Sequence, residues 1–389
     1  MTTVDEPSQP LWIETPLLYS SHISSIIGCS AYLKLENLQP SHSFKYRGVT
    51  HFIQQCKRKH GPDVHCIIAS GGNAGLAAAC AARRVGVKCT VYLPITASQR
   101  VVDYLRKEEA EVVLGGRIYA EALAEAQKAA ALDEKAVMVP AYDDPLLWEG
   151  HASMIDEIAA HLPYGKPDAI FCSVGGGGLL AGIIVGCKRV GWDEVPIVTL
   201  ETHGTNCFYQ TMLQNSNKSM PPDFEGSEYI TSKEHPELVL ANVASTLHLS
   251  KASCLAASTP SSGAVKLALE RQGIVRCLSI PDEMSMDACC KFADDHKLLV
   301  ELACSTALTP AYFPSLFSNI FRTSQPKNVV FIVCGGFSVS LNDLEFYKQT
   351  VKGPQAEDID EDAQWGTVSE GRWIAYCDSE KWYIPKQAP

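Results

Sequence analysis

A lysine that directly follows an aromatic residue, in a serine-rich turn before a helix, occurs in Pro40-Ser-His-Ser-Phe-Lys-Tyr-Arg-Gly48. An amine can attack a carbonyl carbon, but near its ordinary pKa of ~10.4 it is protonated at neutral pH. Lys45 is therefore either a solvated surface residue or an amine in surroundings that favour its neutral form. A second segment, Val174-Gly-Gly-Gly-Gly-Leu179, follows a β-branched run and opens a helix-forming one. The backbone N–H groups of such a turn, at the positive end of a helix, cup an anion. Glycine permits the close approach because it has no Cβ. The spacing does not follow the dinucleotide fingerprint, and the chain has no GxxxxGK(S/T) loop, so the cluster alone implies a phosphate site or a tight turn. His151, His203 and His248 have no transition-metal spacing and receive no role.

Three stretches that share one pattern must position these groups. His65-Cys-Ile-Ile-Ala-Ser-Gly-Gly-Asn-Ala-Gly75, Ala169-Ile-Phe-Cys-Ser-Val-Gly-Gly-Gly-Gly178 and Asn328-Val-Val-Phe-Ile-Val-Cys-Gly-Gly336 each pass from an apolar run to glycines. Continuous apolar strands followed by glycine turns and helices predict parallel sheets covered on both faces. Further strands are expected at Cys89–Leu93, Glu111–Leu114, Val137–Val139 and Ile197–Glu201, with a helix over Ile118–Leu132. The fold class is α/β, doubly wound. Asn215 to Pro236 reads as a long surface loop. From Pro354 onward there are eight acidic and three basic residues, yet this tail carries Trp365, Trp373 and Trp382, so its distal half is expected to dock.

The 389 residues carry 33 Lys+Arg against 44 Asp+Glu, a formal net charge of −11. That balance argues against a nucleic-acid or anionic-membrane partner. No window approaches the ~20 apolar residues of a membrane span, and the first ten residues have no signal-peptide pattern. Fifteen cysteines without any CxxC spacing read as free thiols in a reducing cytoplasm.

Taken with Ser70-Gly-Gly-Asn-Ala-Gly75, the tetraglycine loop and Val333-Cys-Gly-Gly336, the Lys45 segment resembles the fold-type II pyridoxal-phosphate enzymes, which are tryptophan synthase β-like. Within them it is most similar to the mammalian-type serine/threonine dehydratases and their serine-dehydratase-like relatives. The resemblance also covers Trp12-Ile-Glu-Thr-Pro-Leu17, Lys34-Leu-Glu-Asn-Leu-Gln-Pro40, Trp148-Glu-Gly-His-Ala-Ser153, Glu201-Thr-His-Gly204 and Leu299-Val-Glu-Leu-Ala-Cys304.

The resemblance implies a role for each matched residue. Lys45 is the lysine that carries pyridoxal 5′-phosphate and later moves the substrate Cα proton. Phe44 stacks on one face of the cofactor ring, and Thr246, in Asn242-Val-Ala-Ser-Thr-Leu247, covers the other. Gly175, Gly176, Gly177, Gly178 and Leu179 hold the phosphate, Asn73 bonds the 3′-oxygen, and Cys334 faces the pyridine nitrogen. A neutral thiol there makes a weaker electron sink than an aspartate would, which favours β-elimination over transamination. Ser70, Gly71, Gly72, Asn73 and Ala74 bind the substrate carboxylate, with Gly71 leaving extra room. Glu201 belongs to a monovalent-cation site, with K⁺ the expected ion.

The implied reaction is dehydration of L-serine or L-threonine to pyruvate or 2-oxobutyrate plus ammonia, with leaving-group protonation assisted by the cofactor phosphate. β-Replacement, racemisation or elimination on another amino acid, and a non-catalytic cofactor-binding homologue, stay open. Three departures from the family pattern, His42, Leu302 with Ser305, and Phe337, are expected near the cleft and bear on that choice. The domain reading places residues 1–40 and 141–350 in a large cofactor-binding domain, 41–140 in a small α/β domain and 351–389 in an acidic extension. A homodimer follows from the resemblance alone.

Overall fold

A computed structural model describes residues 10–163, 165–216, 218–224, 227–352, 368–369 and 371–386. The acidic run at 357–362 and Trp365 lie outside the described residues. The strands in chain order are β1 (Leu17–Tyr19), β2 (Ser30–Leu35), β3 (His65–Ala69), β4 (Lys88–Leu93), β5 (Glu111–Leu114) and β6 (Ala136–Met138), followed by β7 (Ala169–Ser173), β8 (Ile197–Thr202) and β9 (Glu228–Thr231). Then come β10 (Val239–Asn242), β11 (Val275–Ile280), β12 (Asn328–Val333), β13 (Val368–Ser369), β14 (Arg372–Cys377) and β15 (Glu380–Pro385). They form two principal sheets. The smaller runs β5-β4-β3-β6 and is parallel throughout. In the larger, β2-β12-β7-β8-β11 is parallel, with antiparallel strands at both edges.

Burial follows from composition. Every residue of β3, β7, β8 and β12 is buried, as strands with helices on both faces must be. β3, β7 and β12 deliver their C-terminal ends to the Ser70, Gly175 and Cys334 turns, and ligands of open α/β sheets bind beyond such ends. Helix termini are set locally. Gly86, at φ +73°, ends the alanine-rich helix Asn73–Val85, with Arg83 and Arg84 in its last turn. The Asp144 carboxylate accepts from Leu146 N–H at 2.7 Å and starts the helix Pro145–His161.

Two parts of the chain depart from the sequence reading. The expected loop over 215–236 holds strand β9, paired antiparallel with β10, and a 3₁₀ turn at Pro222–Phe224. Phe224 is the physical reason, because its buried ring packs edge-on against Tyr209 at 5.6 Å and Tyr376 at 4.8 Å. The tail's distal half docks, as a hairpin of β14 and β15 on the edge of β11. His203 secures it: Nε2–H donates to the Ile374 carbonyl at 3.1 Å, which leaves Nδ1 to accept from the Ser279 hydroxyl at 2.8 Å. Burial moves this imidazole down to about 4, so it is neutral and can serve both bonds. Trp373 is 2% exposed and meets Phe313 edge-on at 5.2 Å. Trp373→Ala is expected to cost about 3 kcal/mol of stability, read as a lowered denaturant midpoint.

Candidate active site

Half-buried residues from the ends of both principal sheets converge on one cleft: Phe44, Lys45, Ser70 to Asn73, Gly175 and Gly176. Lys45 opens the helix Lys45–His60. Its turn is stitched to the turn after β12, since Phe44 N–H donates to the Cys334 carbonyl at 3.0 Å and Gly336 N–H to the His42 carbonyl at 2.7 Å. The Lys45 amine donates to the Ala141 carbonyl at 2.5 Å and lies 5.4 Å from the Phe44 ring centroid. Burial lowers its pKa from 10.5 to about 8, and the thiols of Cys254 and Cys334 oppose that shift only weakly. Such an amine has the neutral fraction that nucleophilic or basic work at physiological pH requires.

Beneath Lys45 lies a buried charge cluster. Arg47 donates from Nε and Nη2 to the two Glu36 carboxylate oxygens at 2.7 and 2.8 Å. Its Nη1 and Nη2 reach Glu157 at 2.5 and 2.7 Å. Lys34 donates to Glu157 at 2.5 Å and to the Thr15 carbonyl at 2.7 Å. Two cations thus meet two carboxylates, and the first turn of the Lys45 helix is pinned to β2 and to the helix Pro145–His161.

Asn73 starts its helix with both ends of its amide engaged. Oδ1 accepts from Phe337 N–H at 3.2 Å, and Nδ2 donates to Glu301 at 2.9 Å. A Cβ on Gly71 would press on the Leu93 side chain at 3.3 Å. In the tetraglycine turn, Gly177 at φ +95° is the N-cap of the helix Gly178–Arg189. A Cβ on Gly176 would stand 2.5 Å from the Tyr142 ring, so no larger residue fits this turn. The first N–H groups of that helix have no intrahelical acceptor, which leaves them for an anion.

Cys334 is buried beside the Ser173 hydroxyl at 3.5 Å. A hydrogen bond from Cys304 outweighs burial and holds the Cys334 thiol below its ordinary range. Glu201 is fully buried, and its carboxylate accepts from Phe208 N–H at 3.0 Å and Tyr209 N–H at 2.6 Å at the start of the helix Cys207–Asn215. Burial pushes its carboxyl well above the usual range. Among the described residues no group of three or more His, Cys, Asp or Glu side chains could hold a metal ion.

Thr246 is not at the cleft as expected. Its hydroxyl donates to the carbonyls of Gly204 and Val243, at 2.9 and 3.1 Å, closing a local turn. Cys254 stands by the Lys45 amine instead, with its sulfur 3.5 Å from Asn73 Nδ2. The three departures from the family pattern also point elsewhere. Phe337 is 5% exposed and packs edge-on against Tyr104 in the core of the smaller lobe. Leu302 and Ser305 are buried, with the Ser305 hydroxyl on the Ser285 and Leu302 carbonyls. His42 is exposed and adopts φ +60°, a conformation that suits glycine. His42→Gly is expected to raise stability by about 0.5–1 kcal/mol, the left-handed penalty less glycine's added chain entropy, measured by equilibrium unfolding.

Glu301 and His151 went unassigned in the sequence although both lie in quoted segments. Glu301 gathers Asn73 Nδ2, Ser338 N–H at 2.9 Å and the Ser338 hydroxyl at 2.5 Å. His151 Nδ1 accepts from Gly48 N–H at 3.2 Å, and its ring packs on Phe44 with centroids 4.9 Å apart. Burial keeps its pKa well below the ordinary value, so the ring braces Phe44 as a neutral group.

The family model described as "Pyridoxal-phosphate dependent enzyme" matches residues 9–335. The chain belongs to the pyridoxal-phosphate dependent enzymes. It is 38% identical over 347 residues to human "L-serine dehydratase/L-threonine deaminase", covering 88% of this chain and 96% of that protein. Human "Serine dehydratase-like" is 37% identical over 350 residues, covering 87% and 95%. Among solved structures, a fungal L-serine ammonia-lyase from Rhizomucor miehei superposes with a TM-score of 0.73 at 30% identity, covering 88% of this chain and 100% of that one. The α/β architecture of two mostly parallel sheets is the fold-type II form expected of this branch of the pyridoxal-phosphate dependent enzymes. The residues present fit the cofactor. A depressed amine, a glycine turn at a helix N-terminus, and Asn73 and a buried thiol facing one cleft are what an aldehyde, a phosphate and a pyridine ring require.

Proposed function

We propose that this chain dehydrates and deaminates L-serine, L-threonine or both, releasing pyruvate or 2-oxobutyrate and ammonia. The observation that carries the reading is the convergence of the depressed Lys45 amine with Asn73, the glycine turn and Cys334. No carboxylate takes the place of Cys334, a donor set suited to expelling a β-substituent. The names of the relatives support the substrate class, and with Phe337, Leu302 and Ser305 packed in the core and His42 exposed, none of these departures argues for an altered amino acid.

Pyridoxal phosphate, when bound, supplies the electron delocalisation that makes the substrate Cα proton removable. In this reading Lys45 carries it, Gly175 to Leu179 hold its phosphate, Asn73 its 3′-oxygen and Cys334 its ring nitrogen, with Phe44 against one face. N–H donors of the Ser70 to Ala74 turn bind the substrate carboxylate and set the Cα–H bond toward the Lys45 amine, which takes the proton. Enclosure between the lobes, residues 41–140 and the remainder of the body, excludes water before Cβ–O cleavage.

The proposal extends to K⁺ near Glu201, where a buried carboxyl with only two backbone donors is relieved by a cation. It extends also to a homodimer and, on the strength of fifteen free thiols, to the cytoplasm. No helix among the described residues is long and apolar enough to cross a membrane. Incubation of the cofactor-loaded protein with L-serine and L-threonine, followed by oxo-acid and ammonia assays, tests the reaction. Stoichiometric release of both products is expected, and a loaded protein that yields neither from either amino acid overturns the reading.

A further inference from the structure

The turn after β12 carries the chain from one hydrophobic core to the other. Cys334 is buried in the core around the larger sheet, whereas Phe337 is buried in that of the smaller lobe. Among the described residues, the smaller core has one other buried side chain from outside residues 41–140, Leu147. Leu147 lies on the helix that directly follows the lobe in sequence and arrives by chain continuity. Phe337 has no such reason to be there, because β12 belongs to the other sheet. Its ring meets Tyr104, on the helix Gln99–Lys107, edge-on at 5.3 Å. Arg100, one turn earlier on that helix, donates to the Phe337 and Val339 carbonyls at 3.4 and 3.2 Å. The Phe337 N–H donates to Asn73 Oδ1 at 3.2 Å, and Ser338 is tied to Glu301, the other partner of the Asn73 amide. The Ser70 to Ala74 turn rests on the same core, since a Cβ on Gly71 would meet Leu93 at 3.3 Å and Val101 at 3.9 Å.

We propose that Phe337 is a positioning residue that pins the smaller lobe to the turn after β12, so that Asn73 and the Ser70 to Ala74 turn stand in register with Cys334 before substrate arrives. The proposal rests on the site assignment of the dehydratase reading. One residue makes both connections: its ring is held by the lobe, while its backbone belongs to the Cys334 turn. An aromatic ring suits this task because its burial removes a large apolar area from water, and a small polar side chain at 337 would give the lobe little to hold. The Arg100 and Asn73 bonds alone are a weaker hold, since water competes for the same donors and acceptors. Without the ring, the substrate itself has to assemble the register. A substrate that binds one arrangement loses apparent affinity in proportion to the fraction of molecules that already have it. The chemical step starts from the assembled site and is left as it was.

The test compares wild type, Phe337→Ala and Phe337→Leu, each saturated with pyridoxal phosphate. Phe337→Ala is expected to raise KM for L-serine about tenfold, as for a register populated about one-tenth of the time, with kcat within about twofold. Phe337→Leu keeps an apolar anchor and should stay within about threefold of wild type in KM. Hydrogen–deuterium exchange of the substrate-free protein supplies a readout apart from turnover. In Phe337→Ala, amides of the Ser70 to Leu76 and Gly335 to Ser340 segments should exchange about tenfold faster, while those of β3, β4 and β7 keep their wild-type rates. Faster exchange throughout β3 and β4 would show that the ring only fills the core of the lobe, and would overturn the proposal. An unchanged KM, or a loss confined to kcat, would overturn it as well. A wild type inert on both L-serine and L-threonine would instead overturn the dehydratase reading, and the exchange rates would still decide whether Phe337 pins the lobe.

Discussion

Replacing Lys45 by alanine is expected to abolish the visible absorbance of covalently held pyridoxal phosphate and to lower oxo-acid release by about three orders of magnitude or more. The magnitude reflects two losses at one position. The amine that carries the cofactor disappears, and so does the base for the Cα proton, a contribution of about 10²–10⁴ on its own. The depressed pKa of about 8 follows from burial, so the effect belongs to this position and not to lysines in general. The variant should still fold, because the side chain makes one hydrogen bond, to Ala141, and takes no part in the charge cluster below it. Absorbance after cofactor loading, with circular dichroism to confirm folding, checks both halves. An unchanged absorbance band in the variant would show that another amine carries the cofactor.

The second large effect is on stability. Arg47→Ala is expected to cost about 3–5 kcal/mol, because it strands Glu36 fully buried without a cation. Arg47→Lys should recover only part of the loss, since an ammonium cannot reproduce the paired bonds to both Glu36 oxygens. Burial would raise the Glu157 pKa, but its bonds to Arg47 and Lys34 more than offset this and hold it below the ordinary 4.5. A carboxyl with a depressed folded pKa contributes stability that is present above its unfolded value and lost on acidification. The wild type should therefore lose stability below about pH 4.5, and Arg47→Ala should show a shallower acid limb. Denaturant midpoints over pH 3 to 7 measure both.

Much of the architecture was legible because the strongest signals were local. β3, β7 and β12 are continuous apolar runs ending in glycines, a pattern that only a doubly covered parallel strand satisfies well. β1, β2, β11, β13 and the β9–β10 and β14–β15 hairpins were not foreseen. β1 has three residues, β2 carries the buried Lys34 in an apolar run, and the outer hairpin exists because Trp373 and Trp382 find a surface on the folded body. Site residues fared similarly. The segments around Lys45, Asn73, the glycine turn and Cys334 could be quoted from the chain, and the fold brings them to one cleft. Glu301 could be quoted too, but its pairing with Asn73 spans 228 positions and has no local trace. Cys254 was missed in favour of Thr246, in a stretch of small and polar residues where no single residue type marks which turn faces the lysine.

The distribution of thiols carries a consequence for handling the molecule. In the native state a sulfhydryl reagent meets Cys254 and part of Cys29, while thirteen other cysteines are enclosed, most of them further protected by a raised pKa. Unfolding releases all of them at once into solvent, at ordinary acidity, on a chain with no disulfide to restore. The reactive-thiol count is thus a built-in gauge of global opening. Loss of the fold in air should end in random cross-links between chains rather than in a return to the native state.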